Sequence, residues 1–135
     1  VMAISYDSSG KEMGACALHT ASPDTQLRAV SEETAVSPGR LCHIRLQYTD
    51  ENGTVKPLER GILNVEVTGG KLLGLGSACP FNEIGFVTGR TDTYYGEALA
   101  VVQVGEGAEL TLTVTDGRYS GKVTVPIGDY DIIRK

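Results

Sequence analysis

The sequence of 135 residues predicts an all-β fold, an antiparallel sandwich of two sheets with an additional hairpin at its N-terminus. Three observations predict it. Apolar and polar residues alternate with period two in one segment after another, and Gly, Asp and Asn punctuate the intervals between them. No stretch of useful length keeps helical periodicity. The run from Gly69 to Pro80, with glycines at 69, 70, 74 and 76, reads as turn, short strand, turn, because each interior Gly costs a helix roughly 1 kcal/mol and Pro about 3.

The elements follow in order. Met2, Ile4 and Tyr6, the loop Asp7-Ser8-Ser9-Gly10, and Ala15 to Leu18 make a hairpin, and Thr20-Ala21-Ser22-Pro23-Asp24 reads as a linker. A lone hairpin is marginal in water, so residues 1–22 are expected to dock on residues 25–127, to pair with a neighbouring molecule, or to move freely. Cys42, Ile44, Leu46 and Tyr48 face inward against His43, Arg45 and Gln47, and Asp50-Glu51-Asn52-Gly53 then turns the chain. Leu63, Val65 and Val67 repeat the scheme. Ala98 to Val104 is apolar on both faces except at Gln103, which predicts a central strand covered above and below. Leu110, Leu112 and Val114 pair across the Asp116-Gly117 turn with Val123, Val125 and Ile127. Seven or so such strands specify an immunoglobulin-like sandwich over residues 23–128, with 129–135 as a tail or linker.

Composition narrows the function. Twelve Lys and Arg against seventeen Asp and Glu give a net charge of -5, with no basic cluster longer than Arg134-Lys135. Neither nucleic acid nor an anionic membrane suits that surface. The cysteines, Cys16, Cys42 and Cys79, are three in number and far apart, which argues against a disulfide framework. No apolar run approaches a membrane span, and no signal-peptide pattern opens the chain. Because it begins directly on strand-like residues, the chain is expected to be cut from a longer one.

Candidate chemistry is sparse. Cys16 with His19 and Cys42 with His43 are suitable zinc-ligand types, but residues three apart or adjacent on a strand point to opposite faces. Small buried cysteines and exposed histidines are expected instead, with no metal and no cofactor. Gly74 and Gly76 match part of a dinucleotide fingerprint whose third glycine is missing, and Pro80 stands where its helix should begin, so a shaped loop between the sheets is expected there instead. Glu83, Asp92 and Glu97 carry carboxylates without any spacing that marks an acid–base pair. Ser77 lacks the setting of an activated nucleophile. No catalytic residue is therefore assigned. The best candidate surface is the loop region carrying Phe81, Asn82, Glu83, Phe86, Tyr94 and Tyr95, which would contact either a saccharide or a neighbouring domain. Tyr95 also suits a sandwich-corner tyrosine tied to the backbone.

Several motifs occur together and in order: D-x-N-G at 50 to 53 with Pro57, V-x-V-x-G-G at 65 to 70, L-L-G-L-G-S-A at 72 to 78, and Y-x-G-x-A-L-A-V-V at 94 to 102. In that order they resemble the immunoglobulin-like module near the C-terminal end of glycoside hydrolase family 2 enzymes, the β-galactosidase and β-glucuronidase family. Cys79 and Glu97 depart from the family pattern, which more often carries Asn and a basic residue there. The resemblance implies a non-catalytic accessory module whose partners are the other domains of a periplasmic or secreted parent, with residues 1–22 closing the preceding sandwich domain. A (β/α)8 barrel needs about 250 residues, so the parent's catalytic scaffold would lie elsewhere. The alternative is a glycan-binding or protein-binding module of a bacterial surface protein.

Overall fold

A computed structural model describes residues 1–129. Apart from Asp129, the expected tail lies outside the described residues. Two strands, β1 (Met2–Tyr6) and β2 (Glu12–Ala17), form a separate antiparallel hairpin. Eight more follow: β3 (Gln26–Ser31), β4 (Leu41–Thr49), β5 (Ile62–Thr68), β6 (Gly70–Gly76), β7 (Arg90–Asp92), β8 (Glu97–Val104), β9 (Glu109–Thr115) and β10 (Ser120–Pro126). They build two four-stranded sheets, a front sheet in the order β3-β4-β8-β6 and a back sheet in the order β10-β9-β5-β7, antiparallel throughout.

The alternation read from the sequence sets the core. Cys42, Ile44, Leu46 and Tyr48 of β4 meet Leu63 of β5 and Leu110, Leu112 and Val114 of β9, all of them wholly buried. Strand β8 is central in its sheet, as expected, but only one of its faces is covered. Ala98, Ala100 and Val102 point inward, while Leu99 on the other face is 40% exposed. The glycines at 74 and 76 lie within edge strand β6, beside a bulge between Leu72 and Gly74, and not in an inter-sheet loop.

Two polar devices fix the sandwich. The Tyr48 hydroxyl donates to Asp116 Oδ2 at 2.6 Å, tying β4 of the front sheet to the β9–β10 turn of the back sheet. Asp116 Oδ1 accepts from the backbone N–H groups of Arg118 (2.8 Å) and Tyr119 (2.7 Å). Burial pushes the Asp116 carboxyl up, and these hydrogen bonds outweigh it and hold the group below its ordinary value. At the end of the front sheet, where β3 stops, the Glu33 carboxylate accepts from the His43 backbone N–H and lies against its ring Nδ1, both at 3.0 Å. The carboxylate thus replaces the missing strand as partner for β4.

The hairpin does not dock on the sandwich, since every residue of β1 and β2 is exposed. Its linker is nevertheless pinned. Ser22 N–H donates to Asp50 Oδ2 at 3.0 Å, and Lys56 Nζ donates to Pro23 O, Asp24 O and Thr25 Oγ1 at 2.8–3.0 Å. The same Asp50 carboxylate accepts from Asn52 and Thr54 N–H at 2.9 Å, so the D-x-N-G turn and the linker share one anchor.

Candidate functional site

The candidate surface is organised by one turn. Tyr94 N–H donates to Glu97 O at 2.9 Å and Glu97 N–H to Tyr94 O at 3.2 Å, closing a two-residue hairpin with Tyr95 at φ 50° and Gly96 at φ 78°. Positive φ at both central residues defines a type I′ turn. Glycine is obligatory at 96, because a Cβ there would strike the Lys56 carbonyl oxygen. Tyr95 is the one non-glycine residue with positive φ among the described residues, a conformation that costs an L-residue about 1–2 kcal/mol. The turn carries the chain from β7 of the back sheet to β8 of the front sheet, and it projects Tyr94 and Tyr95 as an edge-to-face pair with ring centroids 4.6 Å apart. Tyr95 is 65% exposed in this position, so it is not a buried corner tyrosine. The inter-sheet tyrosine is Tyr48.

This tyrosine ridge divides two grooves. The first, of about 780 Å³, runs along the outer face of the front sheet past Leu99, Val101, Arg45 and Phe86. Phe86 is held there by β6: its carbonyl accepts from Leu75 N–H at 2.8 Å, and a Cβ on Gly76 would lie 2.5 Å from its ring atoms. Gly76 is therefore the seat of the Phe86 ring. The second groove, of about 660 Å³, lies between the 57–62 segment, the 77–84 loop and the β7 end, and contains Phe81, Asn82 and Glu83. Tyr94 and Tyr95 line both. The six predicted residues thus converge on one end of the sandwich, but the ridge separates Phe86 from Phe81, Asn82 and Glu83.

Charge in this region is largely internal. Arg60 grips Asp92 with Nε 3.1 Å from both carboxylate oxygens and with Nη2 on Oδ2. Arg60 holds the Asp92 carboxyl below its ordinary value against the effect of burial. Glu97 accepts from Gln47 Nε2 at 2.6 Å, so two of the carboxylates considered as catalytic candidates are already engaged. The neighbouring Tyr95 and then burial push the Tyr94 phenol upward. Two residues that line the second groove, Asn82 and Thr93, each keep a buried polar atom, Nδ2 and Oγ1, without a partner among the described residues. Sequence reasoning missed Thr93 and Arg60, because an orphaned hydroxyl and a cross-loop ion pair are products of tertiary placement and leave no local pattern.

For metal, Cys42 is buried and His43 half-exposed on opposite faces of β4, with Glu33 reaching both. His19 lies beyond the end of β2 and not on a strand. No group of three His, Cys, Asp or Glu side chains is arranged to hold a metal ion among the described residues. Burial lifts the Cys42 thiol above its ordinary value, which leaves it protonated and unreactive.

Residues 25–124 match the family model described as glycoside hydrolase family 2 C-terminal domain 5. The chain belongs to this family. The match spans β3 through nearly all of β10 and includes every candidate residue from Phe81 to Tyr95. A glycosyl hydrolase family 2 member from Bacteroides cellulosilyticus superposes with a TM-score of 0.80 at 26% identity, covering 92% of this chain and 18% of that one. A β-glycosidase from Bacteroides vulgatus gives 0.75 at 22%, covering 87% and 16%. A family 2 β-glucuronidase gives 0.66 at 15%, covering 88% and 13%. No curated protein matches. The chain therefore spans less than a fifth of each of these structures. As a C-terminal domain 5 chain it is an accessory-sized piece compared with them, with its candidate residues on loops and its core closed.

Proposed function

We propose that this chain is a non-catalytic accessory module of a larger family 2 glycoside hydrolase of the β-galactosidase type, held against the parent by the outer face of its front sheet. The carrying observation is the contrast between the two outer faces. The back sheet turns Asn64, Glu66, Thr68, Thr113, Thr115 and Lys122 outward, a largely polar surface with Ile62 among them. The front sheet instead leaves Leu41, Leu73, Leu99 and Phe86 exposed, with Tyr94 and Tyr95 at its end. These apolar side chains share the face with His43, Arg45, Gln47 and Gln103, a mixed apolar and polar surface of the kind that contacts between domains use. On this reading the occupant is another domain of the parent, which the similarity to a much longer Bacteroides cellulosilyticus protein supports, since 92% of this chain matches only 18% of that one.

On this reading residues 1–22 are the closing hairpin of the preceding domain, with Met2, Ile4 and Tyr6 completing its apolar face. The β-galactosidase type rests on the order of the sequence motifs. Placement in the periplasm or outside the cell goes with a glycoside substrate and is checked by fractionating cells that express the parent.

The test uses the full-length protein that contains this chain. Leu99→Glu with Phe86→Ala should lower its melting temperature and expose a protease site near residue 20, while the same pair leaves the stability of the isolated chain within about 1 kcal/mol, as for surface positions. Equal effects in both settings, or none in the full-length protein, would remove the docking face.

A further inference from the structure

We infer that the second groove is a binding site for a neutral saccharide, sharing the tyrosine ridge with the docking face but not its leucines or Phe86. Thr93 is only 5% exposed and Asn82 Nδ2 is wholly buried, and both side chains leave polar atoms without any partner. Such atoms are normally satisfied, and both residues line this groove. Asn82 Oδ1 is already used, accepting from Ile84 N–H at 3.1 Å. The residues lining the groove therefore hold, just below its surface, an amide N–H that can only donate and a hydroxyl that can donate or accept, and a ligand that draws these side chains outward would satisfy both. Ligand hydroxyls serve both, and so would a carboxylate.

Charge separates these two ligand classes. The groove is lined by Glu59, Glu83 and Asp92 against one cation, Arg60. Arg60 is bound to Asp92 through both Nε and Nη2. With Arg60 and Asp92 offsetting each other, Glu59 and Glu83 leave the lining net negative, which works against an anionic ligand. A uronate, sulfated or phosphorylated ligand is disfavoured, and a neutral polyol is not. Phe81, almost fully exposed, and the Tyr94–Tyr95 pair supply the apolar surface on which the C–H face of a sugar ring rests. A volume of about 660 Å³ suits a small ligand.

The chain, labelled with 15N, is titrated with neutral galacto- and gluco-oligosaccharides, with the matching glucuronides, and with an acidic and a neutral peptide. Saturable shifts of the Asn82, Thr93 and Tyr94 amides with a neutral sugar are expected. Thr93→Val and Phe81→Ala should each weaken binding about ten-fold or more, as when a site built to hydrogen-bond loses a partner. Thr93→Ser, which keeps the hydroxyl, should retain binding and guards against a folding defect. Phe86→Ala, across the ridge, should leave binding unchanged, so failure of the docking face and failure of this site are read separately. Glucuronides should bind several-fold more weakly, with the gap narrowing at high salt. The inference is overturned by an absence of response to every sugar, by tighter binding of the glucuronide, by saturable binding of peptide alone, or by sugar binding that Thr93→Val leaves intact.

Discussion

Replacing Tyr48 by Phe removes one oxygen atom and tests the bond that joins the two sheets. The ring stays buried against the same core, and the space around the lost hydroxyl is small, since a Cβ on Gly61 would collide with it. A hydrogen bond to a charged acceptor contributes about 1.5–3 kcal/mol. Without it, Asp116 Oδ2 keeps only the Arg118 Nη2 contact at 3.4 Å, while Oδ1 retains its two backbone donors. That partial retention places the expected loss at about 2 kcal/mol, or roughly 6–8 °C in melting temperature for a domain of this size. The assay is urea unfolding followed by circular dichroism in a double-mutant cycle with Asp116→Asn, where the slope should be unchanged and the coupling about 1 kcal/mol or more. The pH dependence adds a second readout. Burial and then the Asp116 hydrogen bond raise the Tyr48 phenol in the folded state, so its contribution is complete below about pH 10 and is lost as pH rises through the folded value. Asp116 is lowered, so its contribution is present above about pH 3.9 and is lost as pH falls through its folded value. In Tyr48→Phe the alkaline loss should vanish. A variant within about 0.5 kcal/mol of the parent, with no coupling to Asp116, would refute the reasoning.

Two further outcomes are expected. Tyr95→Asn should stabilise the isolated chain by roughly 0.5 kcal/mol, because relief of the positive φ, about 1 kcal/mol, exceeds the loss of an exposed ring contact, and it should weaken assembly with the parent; chemical denaturation of the isolated chain and full-length melting give the two signs. Glu33→Ala should destabilise by about 1–2 kcal/mol at neutral pH through the unpaired end of β4. Burial raises the Glu33 carboxyl, but its hydrogen bonds with His43 outweigh this and leave it lowered, so the contribution is present above about pH 4.3 and is lost as pH falls through the folded value. An acid titration of both proteins should show the gap closing.

The strands were legible because a period-two pattern with one wet face needs no tertiary information. Leu110, Leu112 and Val114 alternate with Glu109, Thr111 and Thr113 whatever lies opposite, and Asp116-Gly117 marks its own turn, with Gly117 at φ 89°. Strand β8 misled for a physical reason. Leu99 and Val101 are apolar on a face that the described residues leave partly open, and an apolar side chain in the sequence does not by itself say that it is buried. Gly74 and Gly76 misled in the opposite way, since glycine that makes room for the Phe86 ring looks in sequence like glycine that makes a turn. The candidate site was legible as a cluster of aromatic and polar residues in one loop region. Its division into two grooves was not, because that depends on the backbone of Tyr95 and Gly96 and on an Arg60–Asp92 pair 32 residues apart.

The linker bears on how the module is used. A binding module that only tethers its host needs a loose connection, whereas Ser22, Pro23, Asp24 and Thr25 are each tied to Asp50 or Lys56. Asp50 is buried and held as the carboxylate, first by the Ser22 N–H and then by the other donors that outweigh burial. The turn that ends β4 therefore also fixes where the hairpin leaves the sandwich. An exposed hairpin with Met2, Ile4 and Tyr6 on one face and a front sheet with Leu41, Leu73 and Leu99 exposed present apolar side chains on one chain, joined by a short connection that is anchored from Ser22 onward. Fixed spacing between two such surfaces restricts the orientations in which a neighbour can cover both, and it lowers the entropy lost when it does. That favours integration into the parent over free tethering, and it leaves the second groove, on the far side of the tyrosine ridge, turned away from the front-sheet contact.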